Sequence, residues 1–177
     1  MLLSKNIILG FGFLLSTVSC NALLNEAIAA IGRGEKAVDL SGSKIGDDGA
    51  IALAAALNGS KLTELVLYDN QIRDEGAKAL AAALKDSQLT ELDLGINQIG
   101  VEGAKALAAA LKHSQLIELD LWGNQIGVEG AKALAAALKG SQLKRLNLYH
   151  IQIGNDLLNQ VSNQMRVLET KHQTFGK

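Results

Sequence analysis

Two patterns follow one another in the stretch LTELDLGINQIGVEGAKALAAAL, residues 89–111. The first half has the pattern L-x-x-L-x-L, and its L-x-L part is typical of a short strand with one buried face. The second half is rich in strong helix formers, and it places Leu107 and Leu111 four residues apart on one helical face. The stretch therefore predicts one strand followed by one helix.

The same stretch recurs at an interval of 27 residues. The leucines that open the copies are Leu62, Leu89, Leu116 and Leu143, and a turn asparagine follows at Asn70, Asn97 and Asn124. One imperfect copy lies upstream, which gives five units over residues 35–153. A single unit cannot bury its own apolar face, so a repeat of this length predicts a stack with a continuous core. Between neighbouring turns, the asparagine side chains are expected to satisfy backbone amides.

These motifs resemble the leucine-rich repeat family, in its ribonuclease-inhibitor-like class with a full helix in each repeat. The resemblance covers about residues 36–153 and rests on three nearly identical copies. It implies an α/β solenoid with a parallel β-sheet on the concave face of a horseshoe-shaped arc and α-helices on the convex face. It also implies a protein-binding module rather than an enzyme. Ser43 and Ile151 replace the turn asparagine, so the terminal repeats are expected to fray or to be capped.

Apolar residues at helical spacing flank the repeats on both sides. Leu24, Ala27 and Ile31 predict an N-terminal capping helix over residues 21–34. A second amphipathic pattern predicts a C-terminal capping helix over residues 154–170, followed by a loose tail at 171–177.

The first 20 residues form a separate segment. A basic residue precedes a short apolar run and small residues follow it, which predicts a secretory signal peptide over residues 1–20. The run is shorter than the roughly 20 residues that a spanning helix needs. Residues 17–20 resemble a bacterial lipobox, in which Cys20 would be acylated and would attach the mature chain to a membrane. Cleavage near Ala22 without lipidation and a retained anchor are the alternatives.

Composition argues against several classes of protein. With 17 Lys+Arg and 18 Asp+Glu, the net charge is -1, so the chain lacks the basic field of a nucleic-acid-binding protein. The single cysteine excludes an intramolecular disulfide framework and a cysteine-rich zinc site. His113, His150 and His172 have no metal-ligand spacing and are not expected to face a nucleophile. We therefore expect no catalytic residue, no metal and no cofactor.

Three repeat positions are expected to project from the strands into the concave face. The glutamate column consists of Ala37, Glu64, Glu91, Glu118 and Arg145. The aspartate column consists of Asp39, Val66, Asp93, Asp120 and Asn147. The aromatic column consists of Ser41, Tyr68, Gly95, Trp122 and Tyr149, and it contains every Tyr and Trp of the chain.

The candidate partner-binding residues come from these columns. Those for affinity are Tyr68, Trp122 and Tyr149, and those for charge preference are Glu64, Glu91, Glu118, Asp93 and Asp120. Tyr and Trp are enriched at binding hot spots, although the repeat position could simply tolerate bulk. Like charges facing each other across strands are unfavourable, which favours a protein partner with a basic surface or bound cations. Solvation and screening could equally make the cost small.

The sequence thus predicts an exported protein-binding module, either a lipoprotein of the cell envelope or a secreted protein. The alternatives are a host-directed secreted effector, a GTPase-activating regulator and a structural envelope protein.

Overall fold

The structure is a computed structural model that describes residues 7–8 and 20–151. The predicted C-terminal capping helix and tail lie outside these residues, as does the leader apart from Ile7–Ile8 and Cys20. The described helices are α1 (Cys20–Gly32), α2 (Gly46–Leu57), α3 (Asp74–Leu84), α4 (Val101–Leu111) and α5 (Gly127–Leu138). The strands are β1 (Ile7–Ile8), β2 (Ala37–Asp39), β3 (Glu64–Val66), β4 (Glu91–Asp93), β5 (Glu118–Asp120) and β6 (Arg145–Asn147).

Strands and helices alternate from β2 to β6 and form a parallel α/β solenoid, which confirms the predicted fold class. The sheet has the order β1-β2-β3-β4-β5-β6, and every pairing in it is parallel. The register advances by one repeat per strand, so that Glu64 pairs with Glu91 and Glu91 with Glu118. Each repeat position therefore lies beside its equivalents on the neighbouring strands.

Two features at the N-terminal end differ from the sequence prediction. Ile7–Ile8, assigned to the leader, pairs in parallel with Val38 and Asp39 and extends the sheet by one strand. The unpaired backbone groups of an edge strand offer this pairing to any extended segment within reach. Helix α1 begins at Cys20, one residue before the predicted capping helix, and it packs against α2.

The core of the described residues is a column of leucine, isoleucine and alanine. The central strand leucines Leu65, Leu92 and Leu119 are buried, as are helix residues such as Leu107 and Ala104. Alanine side chains allow consecutive helices to pack closely together. No aromatic residue belongs to the core within residues 20–151.

The turn asparagines are buried and bind backbone groups across repeats, as their spacing predicts. Asn97 is 5% exposed, and its Oδ1 accepts hydrogen bonds from the Asn70 and Ile72 amides at 3.1 and 2.9 Å. Its Nδ2 donates to the Leu67 and Leu94 carbonyls, both at 2.9 Å. Each asparagine thus ties its own turn to the turn of the preceding repeat, which fixes the positions of the strand ends that carry the candidate site.

Candidate functional site

The glutamate column lies at the first position of strands β2 to β6, and among the described residues only one of its three glutamates has an ion-pair partner. The Arg145 guanidinium forms an ion pair with Glu118 from the adjacent strand. Glu64 and Glu91 face each other across β3 and β4, and neither has an ion-pair partner within the described part of the chain. As far as the structure describes the chain, the carboxylates of this column without an ion-pair partner are therefore those of β3 and β4.

The aspartate column shapes the turns that follow the strands, a role that the sequence analysis missed. The Asp93 Oδ1 accepts the Gly95 amide, and the Asp120 Oδ1 accepts the Trp122 amide, both at 2.8 Å. Side chains that bind the backbone two residues onward form Asx turns. The signal in the sequence was an Asp or Asn at the last position of every strand from β2 to β6 except β3, which ends in Val66. These aspartates therefore position the aromatic column as well as contributing charge.

The two aspartates differ in how fully their carboxylates are engaged. The second Asp120 oxygen accepts a hydrogen bond from the Asn147 amide group at 2.8 Å. Partial burial raises the pKa of Asp93 above its usual range, the hydrogen bond from Gly95 acts in the opposite direction, and the charges of Asp120 and Asp39 raise the pKa further. The concave face therefore concentrates negative charge around β4.

The aromatic column brings together side chains from different repeats. The rings of Tyr68 and Trp122 are stacked, with centroids 6.0 Å apart and planes within 8° of parallel. The His150 ring meets Trp122 edge-on, with centroids 6.0 Å apart and planes at 73°. Tyr149 is 69% exposed and contacts no other ring among the described residues. We call Tyr68, Trp122 and His150 the aromatic cluster; His150 is a member that sequence reasoning did not include.

Gly95 makes the stacking of Tyr68 on Trp122 possible. Strands lie about 4.8 Å apart, so two residues separated by an intervening strand are about 10 Å apart at their backbones. Gly95 occupies the intervening position, and a Cβ atom there would lie 3.1 Å from both the Tyr68 ring and the Asp93 Oδ1. The Tyr68 ring and the Asp93 carboxylate thus both lie close to the backbone of Gly95.

The convex face has a different character. Each of the ion pairs Glu75–Lys78, Glu102–Lys105 and Glu129–Lys132 joins residues three apart on an exposed helix surface.

Within residues 7–8 and 20–151, no group of His, Cys, Asp and Glu side chains is arranged to hold a metal ion. None of the described helices combines the length and the apolarity needed to cross a membrane.

Comparisons with known proteins agree with this architecture. A leucine-rich repeat family model matches residues 36–54, 60–81, 86–108 and 113–135. No curated protein matches the chain. Among solved structures, leiomodin-1 actin-binding site 2 is 22% identical with a TM-score of 0.68, and the alignment covers 87% of this chain and 98% of that one. The Caenorhabditis elegans tropomodulin C-terminal domain is 16% identical with a TM-score of 0.72, covering 87% and 99%.

Identities this low demonstrate a shared fold and nothing further. The family model covers β2 to β5 and all but the last three residues of the helix that follows each strand, and the strand register repeats in step with it. We conclude that the matched segments between residues 36 and 135 of this chain are leucine-rich repeats.

Proposed function

We propose that this chain binds a protein partner through the concave face of its solenoid, with the aromatic cluster and Tyr149 as the main contacts. The observation that carries the proposal is the stacked pair of Tyr68 and Trp122, half-buried and outside the core. Aromatic side chains supply large, rigid contact areas and dominate binding hot spots. Their mutual contacts restrict the rings before a partner arrives, which lowers the entropy lost on binding.

The position of these residues supports recognition rather than stabilisation of the fold. Aliphatic side chains fill the described core without any aromatic contribution. Tyr68 and Trp122 follow different strands, so the cluster joins repeats across a surface that a protein could cover.

Export is part of the proposal and is supported by residues 1–20. Cleavage before Cys20 would remove β1 and leave β2 as the N-terminal strand, with α1 intact. A lipid on Cys20 would then extend from the first residue of α1, whose Sγ lies 3.5 Å from the Lys44 carbonyl oxygen in the turn after β2. Labelled palmitate should enter the full chain and not the Cys20→Ala variant; equal incorporation by both would exclude lipidation at this residue.

Recognition is tested by affinity capture with the full chain as bait. The test variant is Tyr68→Ala/Trp122→Ala, and the matched control is Ile51→Ala/Val128→Ala, which removes two exposed apolar side chains from helices. Lysates of the producing cell and of a candidate host distinguish envelope from host-directed roles. Because leiomodin-1 actin-binding site 2 shares the fold, purified actin is included as one defined partner.

We expect a partner that the unmodified and control baits retain and that the test variant loses. The helical circular dichroism signal should be the same for all three baits. Equal retention by the test variant would contradict concave-face recognition.

A further inference from the structure

The concave face contains one ion pair that shows how a cation can bind to the glutamate column. Arg145 neutralises Glu118 from the adjacent strand, one strand spacing away. The two remaining glutamates of the column, Glu64 and Glu91, stand in the same register without such a partner among the described residues. Like charges directly opposite each other across strands are destabilising, so a cation placed between them would relieve the repulsion.

The aromatic cluster begins at the other end of the same strands. Glu91 opens β4 and Asp93 closes it, and a Cβ atom on Gly95 would lie 3.1 Å from both the Asp93 Oδ1 and the Tyr68 ring. Trp122 continues this aromatic surface towards β6. A guanidinium group can pair with a carboxylate and stack on an aromatic ring. Carboxylates close to Tyr and Trp rings are therefore well suited to bind it.

Resting on the concave-face recognition proposed above, we propose that the partner presents a basic segment. One arginine of this segment stacks on the Tyr68–Trp122 pair, and positive charges of the segment pair with Glu64 and Glu91. Arginine is preferred over lysine because an ammonium group gains less from a stacked ring and cannot pair in a planar, two-point geometry. The segment lies across the central strands, because Arg145 already neutralises the glutamate next to β6.

Titration of the full chain with synthetic peptides tests this assignment. The probes are blocked hexa-arginine, hexa-lysine and hexa-citrulline, the last having a similar shape to hexa-arginine without its charge. Trp122 is the only tryptophan in the chain, so its fluorescence reports on the proposed stacking position directly. Calorimetry supplies the dissociation constants.

The charge variant is Glu64→Gln/Glu91→Gln, and its matched control is Glu75→Gln/Glu102→Gln on the convex helices. Both variants change the net charge by the same amount. We expect hexa-arginine to bind about threefold or more tighter than hexa-lysine and to alter Trp122 emission, with no binding of hexa-citrulline. The concave variant should weaken hexa-arginine binding about fivefold or more, and the convex control should change it less than about twofold.

Three results would overturn the assignment: equal affinity for hexa-arginine and hexa-lysine, an equal effect of the two glutamine variants, or unchanged Trp122 emission at saturation. The assignment and the proposed function fail separately. A captured partner that requires Tyr68 and Trp122 but binds independently of Glu64 and Glu91 would leave concave-face recognition in place while overturning the basic segment.

Discussion

The Asp74 Oδ1 accepts a hydrogen bond from the Gly103 amide at 2.9 Å, and the same oxygen would lie 2.8 Å from a Cβ atom on Gly103. It also accepts the Gly100 amide at 2.7 Å. A carboxylate in α3 therefore caps the N-terminus of α4, in the next repeat, only because the first turn of α4 contains a glycine. Asp47 caps α3 in the same way through Arg73 and Gly76.

Gly103→Ala should destabilise the protein by about 2–3 kcal/mol, because the new methyl group displaces the capping carboxylate and crowds Ala77 of the preceding helix. Urea unfolding followed by circular dichroism measures the change. Gly140→Ala is the matched control, since its Cβ would meet nothing closer than 3.6 Å. Equal free energies of unfolding for the two variants would show that the close contacts at Gly103 do not contribute to stability.

Val101→Asp should stabilise the protein by about 1 kcal/mol. Val101 occupies the repeat position of Asp47 and Asp74, so α5 lacks the carboxylate cap that α3 and α4 receive. An aspartate there can accept the amides at the start of α5, near Gly127. Val101→Asn separates hydrogen bonding from charge and should give much of the same gain; a lower unfolding midpoint for both variants would contradict the capping account.

The sequence was sufficient to predict the fold because each turn asparagine, such as Asn97, recurs in a copy of the same strand–helix unit. It did not reveal the caps, although Asp47 and Asp74 are one repeat apart. Recognising them requires knowing that a helix N-terminus lies within reach of the preceding helix.

The candidate site was predicted less completely than the fold. Asp93 and Asp120 were interpreted as charges facing a partner, whereas their side chains also bind the turn amides. The stacking of Tyr68 on Trp122 depends on side-chain conformations two strands apart and on the missing side chain of Gly95. A repeat alignment identifies which residues share a column, but it does not specify which of their rings meet.

Asp93→Asn should stabilise the protein at about pH 7, and the gain should shrink as the pH falls to about 4. The pKa of Asp93 is raised in the folded state, chiefly by partial burial, so folding disfavours its ionised form. Protonation removes this penalty in the unmodified protein when the pH falls through the folded-state pKa. Asparagine keeps the hydrogen-bond acceptor for the Gly95 amide. If the unfolding free energies of Asp93→Asn and of the unmodified protein differ by an amount that does not vary with pH, this explanation is contradicted.

Ile96→Asn should stabilise the protein by about 1 kcal/mol by relieving backbone strain. Ile96 has φ 49° at a repeat position where Gly42 and Gly123 have φ 67° and 69°. A β-branched residue is strongly disfavoured in this left-handed region, whereas asparagine tolerates it. Ile96→Val keeps the branch and should bring no gain; thermal unfolding of both variants makes the comparison, and a lower midpoint for Ile96→Asn would refute the strain argument.

Acrylamide quenching of Trp122 fluorescence, with and without a partner obtained by capture, tests concave-face recognition most directly. The chain has a single tryptophan, so all of its tryptophan emission comes from the aromatic cluster. A partner without tryptophan, or one carrying a non-fluorescent tryptophan analogue, keeps the signal specific. We predict that quenching falls as the partner saturates the chain, because the bound protein covers Trp122. Unchanged quenching at saturation would place the interface elsewhere and contradict the proposal.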